Sequence, residues 1–154
     1  MKHILQSILI LFFSMNLFAG QENDTLFIEG EKKLEQAYYQ WSEKGLLESR
    51  AYFQRLSEIS GRKWLALYYT GLCDYRLSHY YQQKDDKEKA EQYNSEGIEI
   101  LEKSIEEKDD FSDSQVLLAS LYGSYIGFHP VKGMFIGPKI NSAYKKAYQL
   151  SPEN

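Results

Sequence analysis

The sequence predicts an all-α protein of stacked antiparallel helical hairpins. Three observations carry that prediction. From Thr25 onward, apolar residues recur at three- and four-residue steps. Glycines, prolines and charged turns divide that pattern into six segments joined mostly by short connections. No alternating apolar-polar run long enough for a strand occurs, and no low-complexity segment.

Ahead of the helices stands "MKHILQSILILFFSMNLFAG". Lys2 and His3 form a basic start, and Ile4–Phe18 is an apolar run interrupted by Gln6, Ser7, Ser14 and Asn16. The small pair Ala19-Gly20 and a polar stretch follow. This order predicts a secretory signal peptide over residues 1–19, cleaved after Ala19. Cleavage one residue later would place bulky Phe18 at the −3 position. A retained membrane anchor is the alternative, but the apolar run is short and broken for a span. No cysteine lies at the boundary, so no lipid anchor is expected. The mature chain, residues 20–154, is then exported to the periplasm or the cell exterior, with no stable membrane insertion.

The full chain carries 18 Lys and Arg against 22 Asp and Glu. Losing the signal removes Lys2 and no acid, which makes the chain slightly more acidic. That balance argues against a nucleic-acid partner, whose phosphates require clustered cations. Cys73 is the only cysteine, so no internal disulfide can form. It sits in the helical pattern of "GLCDY" and reads as a small buried residue rather than a nucleophile. Thirteen tyrosines and eight phenylalanines supply large packing surfaces with, for tyrosine, a polar tip.

The first helix is "LFIEGEKKLEQAYYQW", with Leu26, Phe27, Leu34, Ala37, Tyr38 and Trp41 on its apolar stripe, and Gly45 is expected to end it. "LLESRAYFQRLSEIS" is the second, and Gly61 breaks the chain after it. "KWLALYYTGLCDYRLSHYY" is apolar on more than one side and is expected to be central. In the junction "QQKDDKEKA", Asp85 or Asp86 is the expected N-cap of helix four, whose stripe is Ala90, Tyr93, Gly97, Leu101, Ser104 and Ile105. Asp113 or Ser114 is expected to cap helix five, "QVLLASLYGSYIG". Between helices five and six lies "GFHPVKGMFIGPK", residues Gly127–Lys139, which reads as a long connector. Gly137 is its expected cap and Pro138 the first residue of helix six, "KINSAYKKAYQL".

The ending "INSAYKKAYQLSPEN" resembles the second helix of a tetratricopeptide repeat, through Ile140, Tyr144, Ala147 and Pro152. Gly97, Leu101 and Ser104, and likewise Ser49, Phe53 and Leu56, fit the same spacing, and Gly71 stands where the family carries its small residue for close packing. The resemblance implies about three repeats in a right-handed α-solenoid. They are irregular: Leu56 to Ser104 and Ser104 to Ala147 both exceed the roughly 34-residue unit. The extra length falls in "SHYYQQKDDKEKAEQ" and in the Gly127–Lys139 stretch. Such arrays usually end in a polar-faced helix. Either helix six caps the array, or the chain is the front part of a longer one; the second is the expectation.

Carried over position by position, the resemblance implies a concave groove lined by Lys32, Glu35 and Tyr39, then Tyr68, Leu72, Tyr75 and Arg76, then Leu117, Leu121, Ser124 and Tyr125. Aromatics and an arginine on a preformed concave surface suit a protein or peptide partner. The alternative is that these aromatics pack against one another. In the connector, Phe128, Val131, Met134 and Phe135 are expected to pack back onto the helices, with a turn at His129-Pro130. His129 and Lys132 are either a polar pair at a binding site or two exposed residues on a structured connector, and the second is the expectation.

Enzyme chemistry finds little support. Only His79 and His129 remain after the signal, and there is no HExxH, paired-cysteine or nucleophile-elbow motif. "GMFIGPK" lacks the Gly-Lys-Ser/Thr ending of a phosphate loop, and the acid runs lack the ligand spacing of an EF-hand. No metal or cofactor is expected. The leading expectation is an exported interaction scaffold. Its alternatives are a small-molecule or enzymatic pocket under the connector, and a structural segment of a longer array.

Overall fold

The computed structural model describes residues 24–153, so the signal segment and its cleavage point lie outside the described residues. Helix α1 is described over 24–39. It is followed by α2 (Glu43–Ile59), α3 (Lys63–Gln83), α4 (Lys87–Glu107), α5 (Ser112–Phe128), the 3-10 turn η1 (Pro130–Lys132) and α6 (Gly133–Leu150). No strand occurs among the described residues. The all-α expectation holds, and each helix packs on its neighbours in sequence.

Local chemistry explains the boundaries. Trp41 takes a left-handed φ of 50° and ends α1, not Gly45. Its ring is held 6.0 Å from Tyr38 and 5.7 Å from Tyr80. The Ser42 hydroxyl then accepts from the Gly45 N–H at 3.1 Å and caps α2. Gly45 lies in the first turn of α2, where a Cβ would stand 2.7 Å from that of Ala37. It is needed for close helix approach rather than for a break. Asp85 adopts a φ of 58° in the α3–α4 turn, and Asp86 caps α4 through the Lys89 N–H, one of the two expected positions.

Two boundaries differ from expectation. Helix five starts at Ser112, ahead of Asp113 and Ser114, with Phe111 at the cap position. The Phe111 ring stands edge-on to Trp64 at 4.9 Å and to Tyr68 at 5.1 Å, so aromatic packing fixes the chain there. The larger correction concerns Gly127–Lys139. Helix α5 runs on to Phe128 and α6 already begins at Gly133, which leaves only His129 and η1 between them. Pro138 lies inside α6 instead of opening it. It removes the hydrogen bond to the Met134 carbonyl, and both residues are exposed, so water can take that carbonyl. Phe128 packs against the core as expected, whereas Val131, Met134 and Phe135 are exposed.

The core has two parts. Phe27, Leu34, Leu46, Phe53, Leu56, Cys73 and Leu77 join α1, α2 and α3, while Leu101, Leu117, Leu118, Leu121 and Tyr122 join α4 and α5. Helix α3 lies between them, and Tyr68, Leu72 and Tyr75 pack against the second part, which explains its apolar character on several sides. Small residues set the helix spacing: a Cβ on Gly71 would meet Leu101 Cγ at 2.7 Å, and one on Gly97 would meet Leu121 Cδ1 at 3.0 Å. Buried polar side chains reach neighbouring backbones. Ser78 donates to Ala90 O at 2.8 Å, Ser104 to Trp64 O at 2.8 Å, and the Asn94 amide to Leu121 O at 3.1 Å.

An acidic side chain is fully enclosed. Asp74, 0% exposed, accepts from Arg50 Nε at 2.5 Å, and Arg50 Nη2 donates to Glu96 at 2.6 Å. The three residues come from α3, α2 and α4. Burial pushes the Asp74 carboxyl up to about 7, against the pull of Arg50.

Three outcomes follow. Arg50→Ala leaves the buried Asp74 carboxyl without its hydrogen-bond partner and is expected to cost about 1–3 kcal/mol in denaturant unfolding at neutral pH. Between an unfolded value near 3.8 and a folded value of about 7, only the unfolded chain ionises at Asp74, so this group's contribution falls as pH rises through that window. The stability of wild type relative to Asp74→Asn should therefore decline from pH 4 to pH 7, and a flat difference would show Asp74 ionised in the fold throughout. At the α3–α4 contact, alanine improves helix propensity by about 1 kcal/mol. Overpacking fully buried Leu101 costs about 1–3 kcal/mol, so Gly71→Ala should lower the thermal midpoint.

Candidate functional site

Two open surfaces carry the residues of interest. Helices α1 and α3 form a groove of about 430 Å³ lined by Glu31, Leu34, Glu35, Tyr38 and Tyr39 on one side and Tyr69, Leu72 and Arg76 on the other. The Arg76 guanidinium lies 4.0 Å over the Tyr38 ring and 5.6 Å from that of Tyr75. The Tyr69 hydroxyl donates to Glu31, and burial followed by that carboxylate raises the phenol well above its ordinary range. Tyr39 is 77% exposed and stands 6.0 Å from Tyr38. The groove thus offers aromatic faces beside one delocalised cation, with its floor set by buried Leu34.

The second surface is a cleft of about 650 Å³ between α4, α5 and the η1–α6 segment. Ile98, Glu99 and Glu102 form one wall, Tyr122 and Tyr125 the floor, and Lys132, Phe135, Ile136 and Lys139 the other wall. Its polar groups are largely matched: Tyr122 donates to Glu102 at 2.6 Å and Lys132 to the Tyr125 hydroxyl at 2.8 Å. Lys139 stands 5.3 Å over the Tyr122 ring. Burial, then Glu102, raises the Tyr122 phenol strongly.

The expected groove is therefore divided. Glu35, Tyr39, Leu72 and Arg76 come together between α1 and α3, while Tyr125 and Lys132 belong to the α4–α6 cleft. Tyr68 and Tyr75 are half-buried toward α5; Tyr68 meets Tyr69 and Phe111 edge-on at 5.1 Å each, and burial pushes its phenol up to about 12. Tyr75 stacks edge-on to His79 at 4.4 Å. Leu121 and Leu117 are buried, Leu121 completely, so both are core residues rather than groove contacts. Ser124 bonds back to Ser120 O and lies beside Gly127 and Phe128, away from both surfaces. Lys32 is exposed.

His129 and Lys132 do not pair with each other. The His129 Nε2 atom sits 2.7 Å from Glu91 of α4, and its ring lies 4.6 Å from Tyr125. Tyr125 is thus the common neighbour of both residues and fastens η1 to α5. Cys73 is fully buried, which raises its thiol well above the ordinary range. No group of three or more His, Cys, Asp or Glu residues suited to a metal ion occurs among the described residues. Sequence reading missed Tyr38 and Tyr69 as groove walls; the pairing of Arg76 with Tyr38 depends on how α1 crosses α3, which no local pattern encodes.

No family model matches the chain, and neither does any curated protein or solved structure.

The division between surface and core is open to a stability comparison. Tyr39→Ala should change unfolding free energy by no more than about 0.5 kcal/mol, whereas Leu121→Ala should cost about 2–5 kcal/mol. Equal costs would place Tyr39 in the packing rather than on a free surface.

Proposed function

We propose that the protein is an exported, tetratricopeptide-like interaction scaffold that docks a protein or peptide segment in the α1–α3 groove. The observation that carries this reading is the exposed aromatic pair Tyr38–Tyr39 beside Arg76 and Leu72 in one open groove. Tyrosine and arginine are enriched among the residues that dominate binding energy at protein interfaces: tyrosine buries large area through only two side-chain torsions, and the arginine guanidinium is a planar fork that stacks on aromatic faces. The sequential packing of α2 on α3, α3 on α4, α4 on α5 and α5 on α6 supports a repeat-like, solenoid arrangement. The small residues Gly71 and Gly97 at two successive helix contacts support it further. Residues 1–19 support export.

A second reading has its own support. The α4–α6 cleft has the size of a small-molecule site and draws Lys132, Phe135 and Lys139 from the stretch first read as a connector. His129 lies outside it on Glu91, which leaves that reading without the base an enzyme role would use.

The test is capture of partners from envelope extract by the wild type and by a Tyr39→Ala/Arg76→Ala variant of unchanged helicity. A partner retained by wild type and lost from the variant, at roughly 1–3 kcal/mol per anchor removed, supports the groove. Identical partners on both proteins would end the assignment. Partners lost instead from a Tyr125→Ala/Lys139→Ala variant would move the site to the cleft.

A further inference from the structure

The chain carries more acids than bases, yet no Asp or Glu occurs between Asp113 and Glu153. That stretch holds Lys132, Lys139, Lys145 and Lys146. It forms nearly all of α5, then η1 and α6, so the cationic character gathers at one end of the fold. Lys146 is engaged by Asp109 at 3.4 Å. Among the described residues, Lys132 meets the Tyr125 side chain and Lys139 the Tyr122 ring with no carboxylate in an ion pair, and Lys145 has no ion pair.

Beside these lysines, three large apolar side chains stand in water: Val131 is 91% exposed, Met134 83% and Phe135 75%. They occupy η1 and the first turn of α6. Isolated exposed apolar residues need no explanation, but three within five positions mark an interaction surface. Val131 and Met134 project from the segment outside the α4–α6 cleft, and Phe135 stands at the cleft's wall with three-quarters of its surface still open. Projecting apolar groups flanked by cations suit a soft interface of acyl chains and phosphates better than a protein pocket. An acidic polypeptide following the lysines into the neighbouring cleft would meet Glu99 and Glu102 on the opposite wall.

We propose that η1 and the opening turns of α6 dock on an anionic lipid surface. Val131, Met134 and Phe135 enter the headgroup boundary, and Lys132, Lys139 and Lys145 face lipid phosphates. The element lies on the membrane and does not span it; no helix among the described residues is long and apolar enough to cross. The acidic remainder of the chain is repelled by the same surface, so attachment has a fixed orientation.

The test places an environment-sensitive dye on the full chain at Met134→Cys, with Ile59→Cys on α2 as the control position; native Cys73 is buried and does not compete. Reading the site itself separates this contact from any made by the N-terminal segment. With vesicles of phosphatidylcholine and phosphatidylglycerol, dye at position 134 should shift to the blue while dye at position 59 does not. Pure phosphatidylcholine should give little response. Lys132→Gln and Lys139→Gln should each weaken the apparent affinity about fivefold, and added salt should do the same. No shift at position 134, an equal shift at position 59, or a shift indifferent to the lysines would overturn the proposal. So would a response to polyglutamate without one to anionic vesicles, which would assign the surface to an acidic protein.

Discussion

The Arg50–Asp74–Glu96 clamp is the constraint around which the centre of the fold is arranged. Asp74 sits on the most enclosed helix, and no water reaches it. A buried carboxyl needs a hydrogen-bond partner, and α2 supplies it as Arg50, which fixes how α2 rotates against α3. The same guanidinium then reaches Glu96, so α4 is registered as well. Apolar contacts alone tolerate some sliding of one helix on another; a forked donor shared between two carboxylates tolerates very little. Gly97 lies beside the clamp, 3.1 Å from Asp74 Cβ to a Cβ it does not have, which lets α4 come close enough for the bond to form.

Tyrosine extends the same logic outward. The Tyr52, Tyr69, Tyr81 and Tyr122 hydroxyls each cross to a neighbouring helix, meeting Leu26 O, Glu31, Glu43 and Glu102 respectively. Each ring fills the space between two helices, and each hydroxyl ties them at the rim. Much of the tyrosine content is therefore structural, and the rings that remain open are Tyr38 and Tyr39 at the α1–α3 groove and Tyr144 and Tyr148 on α6.

The fold was largely legible because helix periodicity is a local property. The apolar stripes of α2, α3 and α4 were visible in three- and four-residue spacing, and so was the Asp86 cap. What escaped was the work of tertiary contacts on residues with strong local reputations. Gly45 reads as a stop, yet close approach to Ala37 is what requires it. Pro138 and the glycines of Gly127–Lys139 read as a loop, yet an exposed helix face accommodates them. Leu117 and Leu121 were assigned to a groove through family spacing, but their burial depends on how α5 turns toward α4 and α3. The candidate site was half legible: Tyr39, Leu72 and Arg76 do converge, while Tyr125 lies on another surface.

Among the described residues, helix α6 packs on α5 and η1, whereas α3 and α4 each have partners on two sides. A helix held from one side can open locally while the contacts of α3 with α2 and α4 survive, and hydrogen exchange would report that opening. Detachment of α6 would erase the α4–α6 cleft and leave the α1–α3 groove intact. The two surfaces therefore belong to different cooperative units, and occupancy of the cleft would pin α6 against α4 and α5, acting as a clasp on a helix otherwise held from one side.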